Sequence, residues 1–98
     1  MLNQVVLVGR ITDIPKEKNK IIIAVQRPYK NNDGVYEVDF ISIQLFDSIN
    51  DNSKLYLTIG DLVGVKGRLQ TKEKELIIIA DKLTYLSHTE QRKEEEGI

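Results

Sequence analysis

The chain has 98 residues, 41% hydrophobic and 30% charged, which suits one packed soluble domain and leaves no room for a second. It has no cysteine and one histidine, which excludes disulfides, thiolate metal centres and a cysteine nucleophile; no apolar run approaches the ~18 residues of a membrane span. The formal net charge of −1 argues against a strongly basic nucleic-acid binder, but the segment after Leu86 holds four of the 15 acidic and two of the 14 basic residues, so the body carries about +1.

Met1 leads straight into strand-like sequence, so no secretory leader is expected. Gln4–Ile11, "QVVLVGRI", is the first strand pattern. A glycine inside a strand marks a bend, a bulge or a close backbone approach, which assigns that role to Gly9. Lys20–Arg27, "KIIIAVQR", is rich in β-branched residues and reads as a second strand. Pro28–Val35, "PYKNNDGV", carries loop and hairpin chemistry. Tyr36–Phe46 alternates as a third strand. Val38, Phe40, Ser42 and Gln44 fall on one face, with Glu37, Asp39, Ile41, Ile43 and Leu45 on the other.

Asp47–Ile59 has imperfect helical spacing, with Asp47 or Ser48 as cap, and predicts a short helix or a broken turn. Leu62–Thr71, preceded by Gly60-Asp61 and interrupted by Gly67-Arg68, is the fourth strand. Lys72–Glu75 is a charged hairpin tip, Leu76–Leu86 the fifth strand, and Ser87–Ile98 a polar, acidic tail. The expected division is a domain over 1–86 and a short tail over 87–98. Five strands with a short helix or turn between the third and fourth give an all-β fold in the chain order of an OB-fold. That barrel binds oligonucleotides on the face around strands 2 and 3.

Several separated segments carry a resemblance. "LNQVVLVGRITDIP", "IIIAVQR", "DFISIQLF", "YLTIGDLVGVKGRLQT" and "IIIADKLTYL" stand in the order found in bacterial single-stranded DNA-binding proteins, over about residues 2–86. The resemblance implies an OB-fold that binds single-stranded DNA without sequence readout, in replication, recombination or repair. It also implies a cytoplasmic setting, no enzymatic activity and no cofactor, and a homo-oligomer, tetramer rather than dimer, in which first strands pair across subunits. By position, Tyr29, Phe40 and Phe46 match the family's stacking aromatics. The chain departs from the family in its aromatic-free β-hairpin "KEKEL", in its missing linker, and in its tail "KEEEGI", which lacks a Pro-Phe ending. Recruitment of replication proteins by that tail is the weaker expectation beside a solubilising role.

Stacking platforms need cations beside them. Arg10 and Arg27, placed at the ends of strands 1 and 2, are the first candidates, with Lys30, Lys66 and Arg68; Lys66 and Arg68 share a face unless Gly67 bulges the strand. The competing reading is a protein-interaction OB module of the primosomal type, which near-neutral charge and the missing linker favour. Glu37 with Asp39 is the one carboxylate pair an enzyme could use. No nucleophile, base and orienting group accompany it, and no metal-ligand cluster is present.

Overall fold

The computed structural model describes residues 1–15, 19–45 and 57–87. Five strands, β1 (Val5–Asp13), β2 (Lys20–Lys30), β3 (Tyr36–Gln44), β4 (Leu62–Lys72) and β5 (Glu75–Ser87), close into a barrel in the order β1-β2-β3-β5-β4. All neighbours are antiparallel except β3 and β5, which run parallel through Ile43↔Ile78 and Gln44↔Ile79. This is the OB-fold expected from the order of the strands. No helix occurs among the described residues; the predicted helix falls mostly outside them, as does the acidic tail after Ser87.

Alternation along each strand fills the barrel. Ile11 of β1, Ile21 and Ile23 of β2, Ile43 of β3, Val63 and Val65 of β4 and Ala80 of β5 are buried together, with Leu45 beneath them. Gly9 and Gly67 make the tight coiling possible. A Cβ on Gly9 would lie 2.5 Å from the Ala24 carbonyl oxygen, and one on Gly67 only 1.9 Å from that of Ile79. Both glycines therefore mark the close backbone approaches that their place in the strand patterns suggested.

The chain also ties itself where the ladders end. Asn3 extends the β1–β4 pairing past Val5. Its Nδ2 donates to the Leu69 carbonyl at 2.7 Å and its Oδ1 accepts from the Leu69 N–H at 2.9 Å. Asp61, 1% exposed, accepts the Thr58 N–H at 2.7 Å, and its carbonyl takes the Ile11 N–H at 2.9 Å. That turn fastens the entry of β4 to β1.

Two departures from the sequence reading concern β2 and β5. Pro28–Lys30 continues β2 instead of opening a loop. Proline removes a donor, and the ladder accommodates it in an irregularity between Gln26 and Lys30. The loop proper is 31–35. There the Asn31 side-chain oxygen accepts the N–H groups of Asp33 at 2.9 Å and Val35 at 3.0 Å, and Gly34 supplies a φ of 77°. In β5, register shifts leave Asp81 and Leu86 as extra residues against β4.

Candidate nucleic-acid interface

β1 pairs with β2 only at Arg10, Ile11 and Asp13, and β3 pairs with β5 only at its C-terminal end. The β2–β3 hairpin beyond these points therefore stands out from the barrel as an arm paired only with itself. Phe40 lies where the arm joins the barrel, opposite Ala24. It is 70% exposed, and it shares its face with Val38, Ser42 and Gln44, as the alternation of β3 required. A phenylalanine in mid-strand with its ring in solvent contributes little to the core and offers a flat apolar platform.

Tyr29 is exposed too, at 63%, but it lies in β2 itself. Lys30 is opposite Tyr36 and holds its ammonium 5.6 Å from that ring centre, so Lys30 and Tyr36 share the Phe40 face. Its neighbour Tyr29 points to the other face, where it lines a hollow with Arg27, Asn31 and Glu37. The arm thus presents Phe40 and Tyr36 on one side and Tyr29 on the other. Phe46 lies outside the described residues.

The structure gives the arginines partners that the sequence did not reveal. Arg27 stands within β2, not at its end, and is gripped by carboxylates. Its Nε and Nη2 donate to Asp39 at 3.1 and 2.9 Å, its Nη1 to Glu37 at 2.5 Å, and Asn31 holds the far oxygen of Glu37 at 3.0 Å. The hydrogen bond from Arg27, reinforced by its charge, holds the Asp39 carboxyl below its ordinary range, and the same bond pushes the guanidinium up. The Glu37–Asp39 pair is therefore an ion-pair partner, with no group of three metal-ligating side chains among the described residues.

Arg10 lies in the interior of β1 and donates to the Gly60 carbonyl at 3.0 Å. Arg68 pairs with Asp81 at 2.5 Å. Lys66 and Arg68 do keep a common face, because the irregularity near Gly67 is carried by β5 and not by β4. That same bulge lets Asp81 reach Arg68 and sets Lys82 directly opposite Lys66. Neither lysine has a carboxylate partner among the described residues. Like charges directly opposed are destabilising unless an anion joins them. Lys82 was not among the sequence candidates, since only the register brings it to Lys66.

Two hollows flank the Phe40 platform. One, of about 290 Å³, is lined by Val8, Gly9, Arg10, Ala24, Gln26, Val38 and Leu62, where β1 and β2 part. The other, of about 280 Å³, lies where β3 and β5 part, between Ser42 and Gln44 on one side and Leu76–Ile78 on the other.

Comparison with known proteins places this arrangement among relatives. The model of the single-strand binding protein family matches residues 2–76. The chain is 41% identical over 83 residues to single-stranded DNA-binding protein 2 of Staphylococcus aureus (strain Mu50), covering 76% of this chain and 59% of that protein. It is 39% identical over 83 residues to single-stranded DNA-binding protein B of Bacillus subtilis (strain 168), covering 76% of this chain and 74% of the relative. Among solved structures, a yeast mitochondrial single-stranded DNA-binding protein superposes with a TM-score of 0.69 at 20% identity, over 88% of this chain and 96% of the other. A Plasmodium falciparum single-stranded DNA-binding protein in complex with single-stranded DNA gives 0.66 at 22% identity, over 89% and 96%. At these identities the structural likeness speaks for the fold.

Proposed function

The chain belongs to the single-strand binding protein family, and from that premise we propose that it binds single-stranded DNA without sequence readout, stacking bases on Phe40 and Tyr29 and on the family-matched Phe46. The observation that carries this is Phe40, 70% exposed on a strand face that mixes Val38, Ser42 and Gln44. Such a surface offers a ring for a base and polar groups for its edges, with no catalytic step. The cations Arg10, Arg27, Lys30, Lys66 and Arg68 supply the phosphate contacts. The three arginines give less than their charge suggests, because each is already engaged. The setting that follows is cytoplasmic DNA exposed during replication, recombination or repair. Residues 1–86 would carry the binding, with 87–98 as a solubilising tail and, less strongly, a recruiting one.

A homo-oligomer fits the surface. Val5–Gly9 pairs with β4 on one side and with no described strand on the other, which leaves an edge that a second copy could extend. Val6 and Val8 are exposed beside it. Edge pairing makes a dimer, and burying the valine face of two dimers makes the tetramer we favour. Light scattering coupled to size exclusion measures this directly. A monomeric mass at micromolar protein would refute it.

Fluorescence polarisation with oligo-dT and a matched duplex at two salt concentrations tests the main reading. The single strand should bind more tightly, with a log–log salt slope of only about −1.5 to −2, since about two or three phosphates meet free ammonium groups. Phe40→Ala should cost about 1–3 kcal/mol, or roughly 5- to 150-fold in affinity. The engaged arginines favour one competitor, a protein-interaction barrel of the primosomal type. That reading gains if neither nucleic acid binds at low micromolar protein.

A further inference from the structure

The ladder of the β2–β3 arm has a gap. Gln26 pairs with Val38 and Lys30 with Tyr36, so Arg27, Pro28 and Tyr29 stand opposite Glu37 alone. Pro28 has no N–H to donate there. Regular backbone pairing is therefore interrupted at the segment that carries the exposed Tyr29 ring. Side chains span the interruption instead, in the hollow of about 370 Å³ that Tyr29 lines with Arg27, Asn31 and Glu37.

Glu37 uses both of its oxygens. One accepts from Arg27 Nη1 at 2.5 Å, before the gap, and the other from Asn31 Nδ2 at 3.0 Å, after it. Asn31 cannot turn its amide over, because its Oδ1 is occupied by the N–H groups of Asp33 and Val35. Glu37 thus meets a donor on each side, and only a carboxylate has an acceptor for both. Asp39 grips the same guanidinium, but from the regular part of the ladder, opposite Val25. It does not span the gap.

We infer that Glu37 is a positioning residue: its carboxylate clamps the two sides of the ladder gap and so holds the Tyr29 ring ready for a base. The inference rests on the single-strand reading and deepens it. Without the clamp the bulged segment samples more conformations, and a base must order it on binding, at a cost in affinity. The charge of Glu37 repels phosphate, so its positioning role and its electrostatic role oppose each other. Asp39 has the electrostatic role without the clamp.

Glu37→Gln and Asp39→Asn remove the same charge from the same arginine, which makes them a matched pair. Both side chains are exposed, so the variants should fold, as circular dichroism checks. By polarisation at low salt, Asp39→Asn should bind oligo-dT up to about threefold more tightly. Glu37→Gln should bind it about 2- to 10-fold more weakly, although it too has lost a negative charge. Tyr29→Ala should weaken binding at least about fivefold, and in that background Glu37→Gln should weaken it no further. Glu37→Gln binding as tightly as the wild type or more tightly, or its weakening persisting in full without the Tyr29 ring, would overturn the inference. Tyr29→Ala binding like the wild type would also overturn it and leave the Phe40 reading intact. A wild type that binds no single strand would remove that reading itself, and the positioning role with it.

Discussion

Replacing Gly67 by alanine should nearly unfold the protein, while the same change at Gly64, three residues away on β4, should be harmless. The Gly67 Cβ would meet only backbone: the Ile79 oxygen at 1.9 Å, the Ile79 carbonyl carbon at 2.9 Å and the Ala80 Cα at 3.1 Å. An ordinary carbon–oxygen contact needs about 3.3 Å, so β4 and β5 must separate by roughly 1.4 Å in the middle of their ladder. Overpacking costs about 1–3 kcal/mol, and stretched buried backbone hydrogen bonds add about 1–3 kcal/mol more. The sum, about 2–6 kcal/mol, reaches the lower end of the whole stability of a chain this size, about 5–15 kcal/mol. At Gly64 the nearest atom is Leu86 Cδ1 at 3.7 Å, an ordinary contact, so Gly64→Ala should be neutral or stabilise by up to about 1 kcal/mol. Urea unfolding of both variants, followed by circular dichroism at one protein concentration, measures the difference. A gap under about 1 kcal/mol would mean that β4 and β5 do not approach this closely, and the coiling argument would fail.

The hairpin turn at Glu73-Lys74 holds two non-glycine residues at positive φ, so Glu73→Asn with Lys74→Gly should raise stability by about 1 kcal/mol in the same urea assay. Asp39 is held below its ordinary value of 3.8 by the hydrogen bond from Arg27. A depressed carboxyl contributes stability that is fully present above the unfolded pKa and lost as pH falls through the folded one. The melting-temperature gap between wild type and Asp39→Asn should therefore stay constant near neutrality and close below about pH 3.8. Lys82→Glu replaces a like-charged pair opposite Lys66 with an ion pair; it should stabilise by roughly 0.5 kcal/mol at low salt and less at high salt, as melting at two ionic strengths would show.

Much of the barrel was legible because its signals are local. Alternation in "YEVDFISIQLF" correctly put Phe40, Ser42 and Gln44 outside and Ile41, Ile43 and Leu45 toward the core. The glycines of "LVGR" and "VKGR" marked the two close approaches. What stayed hidden depends on register. Arg27 looked free because Asp39 and Glu37 are 12 and 10 residues away in sequence, and only the β2–β3 pairing brings them to it. Lys82 was not singled out because the bulge at Asp81 decides which residue faces Lys66. Proline at position 28 looked like a strand end because local chemistry cannot say that an irregularity in the ladder will absorb it.

That hidden pairing decides how such a protein must bind. A phosphate that approaches Arg27 meets a guanidinium already bridged to two carboxylates. Taking the arginine away leaves Asp39 and Glu37 facing the incoming anion, so the exchange gains little. The same holds for Arg68 with Asp81. Charge attraction is then left to the lysines and to Arg10, whose partner is the neutral Gly60 carbonyl, while rings on both faces of the arm remain available. Affinity should therefore follow the number of bases that find a flat partner more closely than the number of phosphates neutralised. A protein-interaction barrel has no reason to obey that rule, so loss of a ring that weakens binding at high and low salt alike separates the two.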